Sequence, residues 1–272
     1  MTTLKGTVPF PVTLQTILRS REELPAFRKT LQQLQEMGFW GIELNLPDLE
    51  VLSPAELTDL LQEYQLHMTY LATGAYAKAR LFSLSSPDPE VRRQSVEGCL
   101  ANLAYAAQMK AGIILGFFKG GPQEDEDAAK QAFIESLRTI CSRSTDPGPI
   151  LMEATNRKET CVVRTLRDAE EILMAVNDPR LRILPDTYHM NMEETDSMGE
   201  VRRLLPLIPN LHISDDNRYF PGLGSLDFAM VLRDLKAMGY QGTLGIEGNT
   251  LKSLEEDLAA SVQAICKAAA SL

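Results

Sequence analysis

The sequence predicts a single (β/α)8 barrel of the α/β class, on three observations. A short apolar run, a polar loop and a longer amphipathic stretch recur eight times along the 272 residues. Strand alternating with helix from end to end implies a parallel sheet, because each crossover must travel back along the sheet face. An open doubly wound sheet usually carries a glycine-rich turn after its first strand, and neither GxGxxG nor GxxxxGK[ST] occurs here. At this length an α/β barrel is one domain, so residues 1–272 are read as one unit.

The elements follow in order. The first apolar run, Gly6–Pro11, reads as strand one, and Leu24, Phe27, Leu31, Leu34 and Met37 fall at helical spacing in a helix over 22–37 closed by Gly38. Gly41–Asn45 is strand two, and Ser53-Pro54-Ala55-Glu56 is a capping box with proline just inside the helix. His67–Ala72 is strand three, followed by a loop over 73–89 that is long for an α/β unit. A helix over 89–109 leads to strand four, Gly112–Phe118. The acidic run Glu124–Asp127 supplies the negative first turn of a helix reaching Cys141, and 144–148 form a turn. The last four strands are separated by helices at 166–176, 198–207, 227–238 and 254–270, the final one having an apolar face able to close the barrel or support a dimer.

Composition narrows the function. Hydrophobic residues make up 44% of the chain, enough for a large core, and the net charge of −10 argues against nucleic-acid or anionic-membrane partners. Cys99, Cys141, Cys161 and Cys266 are scattered without zinc spacing and read as reduced thiols. The start MTTLKGTVPFPV lacks a signal pattern, and no apolar run approaches the ~18 residues of a membrane span, so a soluble cytoplasmic protein is expected.

The chemistry concentrates where four consecutive strands end. Ile150-Leu151-Met152 runs into Glu153, short apolar runs carry Asp186 and His212, and Thr243–Ile246 runs into Glu247. In a parallel barrel these four heads converge at the C-terminal end, where active sites lie. Three carboxylates cannot be buried together without a cation among them. The set is hard and oxygen-rich, which favours a divalent metal, Mn²⁺ foremost with Mg²⁺ and Co²⁺ as its alternatives, over a structural zinc. Glu43 on strand two reads as paired with a cation such as Lys119, His67 as structural, and Trp40, Phe10 and Phe118 as core.

At these residues the chain resembles the xylose-isomerase-like barrel superfamily, and within it the ketose 3-epimerases. EATNRKET resembles the segment opening with the first metal-ligating glutamate (Glu153); DTYHMNMEE resembles the DT(F/Y)HMN(I/M)EE segment of Asp186 and His189; HISDDNRYFPGLGSLDF and GIEG resemble the segments of His212, Arg218 and Glu247. The DDNRYFPG loop departs from the ESDRG-type loop common in the 3-epimerases. The resemblance implies a substrate-contacting role for His189, Arg218 and Glu159, a small keto-sugar substrate, and a homo-oligomer, dimer or tetramer. Chelation of a carbonyl and its neighbouring hydroxyl would stabilise a cis-enediolate, with Glu153 and Glu247 as acid and base. The expected activity is thus epimerisation or isomerisation of a ketose. The alternatives are a metal-dependent lyase (inosose dehydration or C-glycoside cleavage) and a non-catalytic sugar-binding barrel. A DNA-repair nuclease of the same superfamily fits poorly with three histidines and an acidic chain.

Overall fold

A computed structural model describes residues 3–123 and 125–272. Its strands are β1 (Val12–Ile17), β2 (Gly41–Asn45), β3 (His67–Ala72), β4 (Gly112–Leu115), β5 (Ile150–Glu153), β6 (Leu181–Leu184), β7 (Asn210–Ile213) and β8 (Thr243–Ile246). All pairings are parallel, in the order β6-β5-β4-β3-β2-β1-β8-β7. The β6–β7 seam is drawn together by a single bridge, Asp186 to His212. The expected (β/α)8 barrel is therefore the observed one.

The helices α1 (Leu24–Met37), α2 (Pro54–Glu63), α3 (Gly74–Arg80), α4 (Pro89–Ala107), α5 (Glu126–Arg143), α6 (Leu166–Val176), α7 (Thr187–Glu193), α8 (Ser197–Leu204), α9 (Phe228–Ala237) and α10 (Leu254–Ala269) surround it. Ser53 and Glu56 form the expected reciprocal capping box at α2. No helix among the described residues is long and apolar enough to cross a membrane.

Strand alternation divides the apolar residues in two. Val12, Leu14, Ile42, Leu44, Ile113, Leu115, Ile183, Leu211 and Ile246 face outward into the main core beneath the helices. Tyr70, Ala72, Ile114, Leu151 and Leu184 form a separate cluster inside the barrel. The other side of the interior is polar: Thr13, Glu43, Asn210 and His212 are all fully buried. Beside Glu43 the β2–β3 register slips, Ile42 pairing with Met68 but Glu43 with Tyr70, so that Thr69 is an extra residue.

Several elements differ from expectation. Strand one begins at Val12 because Pro9 and Pro11 have no N–H to give a ladder, and 5–7 form a turn followed by a bend over 8–10. The long loop after β3 contains α3, hidden in the sequence by a glycine start and an apolar end at Leu81. Strand four stops at Leu115, and Phe117–Lys119 is a 3-10 turn. The expected helix at 198–207 is α8 followed by a 3-10 turn around Pro206. Of the acidic run, Glu124 lies outside the described residues, while Asp125 caps α5 and Glu126 and Asp127 form its first turn. Trp40 is 41% exposed rather than core, stacking on His67 at 4.4 Å between ring centroids.

Gly41 lies so close to β3 that a Cβ there would collide with the backbone carbonyl of His67. Gly41→Ala is expected to destabilise the barrel by about 1–3 kcal/mol, as overpacking does. An unchanged urea midpoint would contradict this packing.

Candidate active site

The centre is built from one atom on each of four elements. Glu153 ends β5, His212 lies within β7, Glu247 follows β8, and Asp186 stands two residues beyond β6, where it caps α7. One ligand atom from each of the four lies within 4.8 Å of the others. His212 Nδ1 is 3.8 Å from Glu153 Oε1, 4.0 Å from Asp186 Oδ2 and 2.7 Å from Glu247 Oε2. Glu153 Oε1, His212 Nδ1 and Glu247 Oε2 are buried without any hydrogen-bond partner. Buried polar atoms are rarely left so, and here three of them aim at one point.

The atoms behind this point are fully engaged. Asp186 Oδ1 accepts from Tyr188 N at 2.8 Å and from the Ser214 hydroxyl at 3.1 Å. Arg218 reaches Asp186 Oδ2 at 2.5 Å and Glu247 Oε1 at 3.1 Å, rather than pairing with the adjacent Asp215 or Asp216. Glu43, expected beside Lys119, instead receives His212 Nε2 at 2.7 Å, Asn210 Nδ2 at 2.7 Å and the Thr13 hydroxyl at 3.2 Å. Lys119 donates to the Glu153 carbonyl and to the Thr155 hydroxyl. Burial pushes its ammonium down to about 8, with the carboxylates of Glu153 and Glu159 pulling the other way.

Charge bookkeeping explains the arrangement. With His212 neutral, Glu43, Glu153, Asp186 and Glu247 face one guanidinium (Arg218) and one ammonium (Lys119). The carboxylates outnumber the cationic side chains at the centre, an excess that a bound cation would offset. In the bare chain this surplus acts on His212: burial opposes its charging, but Glu43 and Glu247 lift its pKa well above the imidazole range. Burial likewise favours the neutral form of Glu247, yet Arg218 and His212 hold its carboxyl well below the usual range.

The other sequence-singled residues line the same cavity. His189 is buried, its Nε2 unpartnered and 3.7 Å from Glu153 Oε1. Its Nδ1 lies 2.9 Å from the Asn156 amide nitrogen, and Asn156 Oδ1 accepts from Lys158 N. That fixes the amide as donor to Nδ1 and leaves the ring proton on Nε2, facing the cavity. Glu159 is on the cavity wall, 2.9 Å from the same Asn156 amide.

Glu43 reads from the sequence as paired inside the mouth with a cation such as Lys119, and its actual partners are His212, Asn210 and Thr13. Two residues escaped sequence reasoning. Gly116 and Gly245 leave room for the carboxylates: a Cβ at 116 would stand 2.6 Å from Glu153 Oε2, and one at 245 would stand 2.5 Å from Glu43 Oε1 and 2.8 Å from His212 Cδ2. Only their positions beside strand-end acids in the sequence hinted at this.

Fold and centre together define a (β/α)8 barrel with an acidic, histidine-bearing centre at its C-terminal mouth. The chain belongs to the Xylose isomerase-like TIM barrel family, which it matches over residues 31–268. It is 25% identical to a D-psicose 3-epimerase of Enterocloster bolteae over 236 residues, covering 84% of this chain and 78% of that one. It is 32% identical to the 3-dehydro-D-guloside 4-epimerase of Escherichia coli over 123 residues, 45% of this chain and 47% of that one. The apo structure of an E. coli 3-keto-D-glucoside 4-epimerase superposes with a TM-score of 0.78 at 22% identity, covering 95% of this chain and 99% of that one, a likeness of fold.

Gly245→Ala is expected to displace the Glu43–His212 pair. With three histidines in the chain, imidazole ¹⁵N spectra read this directly. A shifted His212 signal, with those of His67 and His189 unmoved, is the expected outcome, and an unshifted one contradicts the close approach.

Proposed function

We propose that this chain is a divalent-metal-dependent epimerase of keto-sugars, with Glu153 and Glu247 as its acid/base pair. The observation that carries the reading is the convergence of three buried, unpartnered donor atoms, with Asp186 beside them, in a site where carboxylates outnumber cationic side chains. The donor set fits a hard ion. Glu153, Asp186, His212 and Glu247 would hold it, and three carboxylates with one imidazole favour Mn²⁺, Mg²⁺ or Co²⁺. When bound, such an ion polarises a carbonyl and offsets the negative charge left by loss of the neighbouring C–H proton.

The chain's own groups do the rest. Glu153 and Glu247 enter from strands three places apart around the barrel, and so reach a small substrate from different sides. Arg218 keeps Glu247 ionised, in the form that accepts a proton. One glutamate removes the C–H proton, and the other, entering as the carboxylic acid, returns a proton to the opposite face. The carbon is inverted and the two glutamates exchange protonation states. The Nε2–H of His189 and the guanidinium of Arg218 donate to substrate oxygens, and Glu159 accepts from a hydroxyl. Glu43 acts through His212, holding the ring so that Nδ1 faces the ion and raising its basicity. The printed names of the relatives, 3- and 4-epimerases of ketoses and keto-glycosides, support the same reaction class.

Mn²⁺-loaded protein incubated with a panel of keto-sugars in D₂O is expected to place deuterium on the carbon next to the carbonyl and to invert it. Glu153→Gln and Glu247→Gln should each lower this exchange by about 10²–10⁴-fold, the usual worth of a general acid or base. Retention of exchange in either variant would remove that residue from the pair, and absence of exchange in the wild type with every sugar would sink the reading. Separately, Glu43→Gln is expected to weaken metal binding about 10–100-fold by calorimetry while leaving the circular dichroism unchanged. An unaltered metal affinity would reduce Glu43 to packing.

A further inference from the structure

The four converging residues come from the β5 to β8 side of the barrel, and β1 to β4 supply the rest of the cavity wall. On that side Ile17, Ala72 and Ile114 are apolar, and Gln15 and Asn45 stand among them as two half-buried amides. Strand alternation sets their direction. Thr13 points inward to Glu43, so Gln15, two residues on, shares its face. One residue beyond the last β1–β8 pair, Leu14 with Ile246, the two chains reach Gln15 and Glu247, and both line the cavity.

The two amides are locked in one orientation by the backbone. Ala75 N donates to Asn45 Oδ1 at 3.1 Å, which identifies the oxygen and leaves Asn45 Nδ2 as the donor toward β1. That nitrogen donates to Gln15 Oε1 at 3.0 Å, the one hydrogen bond of the Gln15 side chain among the described residues. Gln15 is thereby held with its oxygen engaged and its Nε2 uncommitted. Neighbouring hydroxyls on the wall are already spent: Thr73 donates to the Ile114 carbonyl at 2.6 Å and Thr160 to the Gly120 carbonyl at 2.9 Å. A donor fixed by a second residue and left without an acceptor is preorganised for a ligand oxygen.

We infer that Gln15 is a further substrate-binding residue, its Nε2 donating to a substrate hydroxyl oxygen on the Glu247 side of the cavity, and that Asn45 is its positioning residue. This rests on the keto-sugar reading above and adds to it the group that holds the substrate beside Glu247. A neutral donor suits the place, because it does not compete with Glu247 for Arg218 as a carboxylate would, nor with Arg218 for Glu247 as a cation would.

The test pairs one hydroxyl with one side chain. Calorimetry on Mn²⁺-loaded protein would compare an unreactive hexitol with its monodeoxy analogues, in the wild type and in Gln15→Ala. One deoxy analogue is expected to bind the wild type about three- to tenfold more weakly than the hexitol, the worth of one neutral hydrogen bond. In Gln15→Ala the same two ligands should bind within about twofold of each other. Asn45→Asp keeps an acceptor for Ala75 N but offers Gln15 Oε1 no donor, so the amide turns over and the contrast should collapse there too. Each contrast is a ratio within one variant, so a general loss of stability or metal affinity does not produce it. No hexitol binding, or deoxy losses that all persist in Gln15→Ala, would overturn the assignment, and a contrast that survives Asn45→Asp would remove Asn45 from it. The two readings fail separately. Deuterium exchange with keto-sugars alongside persisting losses keeps the epimerase and overturns the Gln15 contact. A contrast that collapses as expected, with no exchange of any keto-sugar, keeps the contact and overturns the epimerase.

Discussion

Carboxylates do not share a chamber of low dielectric unless something offsets their repulsion, and this barrel brings Glu43, Glu153, Asp186 and Glu247 into one. Much of the local architecture serves that constraint. Arg218 reaches two of the four because its backbone sits at φ 64, a left-handed conformation that costs energy for a residue with a side chain. The conformation is held from both sides, by Arg218 N donating to the Asp215 carbonyl at 3.0 Å and by Asn249 N donating to the Arg218 carbonyl at 2.7 Å. Asp215, itself fully buried, secures the loop by accepting from Gly222 N and Leu226 N at 2.9 Å each. Strain at one residue is thus repaid by charge neutralisation at two others.

The barrel interior divides along the same line. Across β3, β4, β5 and β6 it is filled by Tyr70, Ile114, Leu151 and Leu184, an apolar plug. Across β7, β8, β1 and β2 it is a hydrogen-bonded network in which Thr243 donates to Asn210 and Asn210 to Glu43. A half-polar barrel interior is a poor source of stability, since its buried groups must all find partners to break even. It does give His212 a fixed ring. Glu43 and Asn210 lie beneath the centre, and their bonds set which imidazole nitrogen faces upward.

How much of this was legible in the sequence follows from geometry. Glu153, Asp186, His212 and Glu247 could be read because a polar residue ending an apolar strand breaks a pattern at the place where barrel sites form. Glu43 could be placed inside the mouth, but not with its partner: only the closed barrel brings His212 and Asn210 of β7 against it, where Lys119 was expected. Strand one was misplaced because apolar side chains in Val8-Pro9-Phe10-Pro11 mimic a strand whose backbone cannot pair. The short helices α3 and α7 fall below the length at which apolar periodicity becomes visible. Trp40 was taken as core from its side chain alone, whereas its place at the base of β2 leaves it to stack on His67 at the edge.

The split between what was legible and what was not also separates chemistry from specificity. Three of the four converging residues end or follow strands within two residues, and the fourth lies inside β7, so their positions are set by the most rigid part of the fold. A groove outside the barrel mouth, which shares Arg218 and Glu247 with the centre, is lined instead by α1 and by the loops after β1, β7 and β8. Loops can change length and composition with little effect on the sheet that carries the acids. The DDNRYFPG loop supplies both Arg218 to the centre and Asn217 to the groove wall, so a change in that loop reaches both.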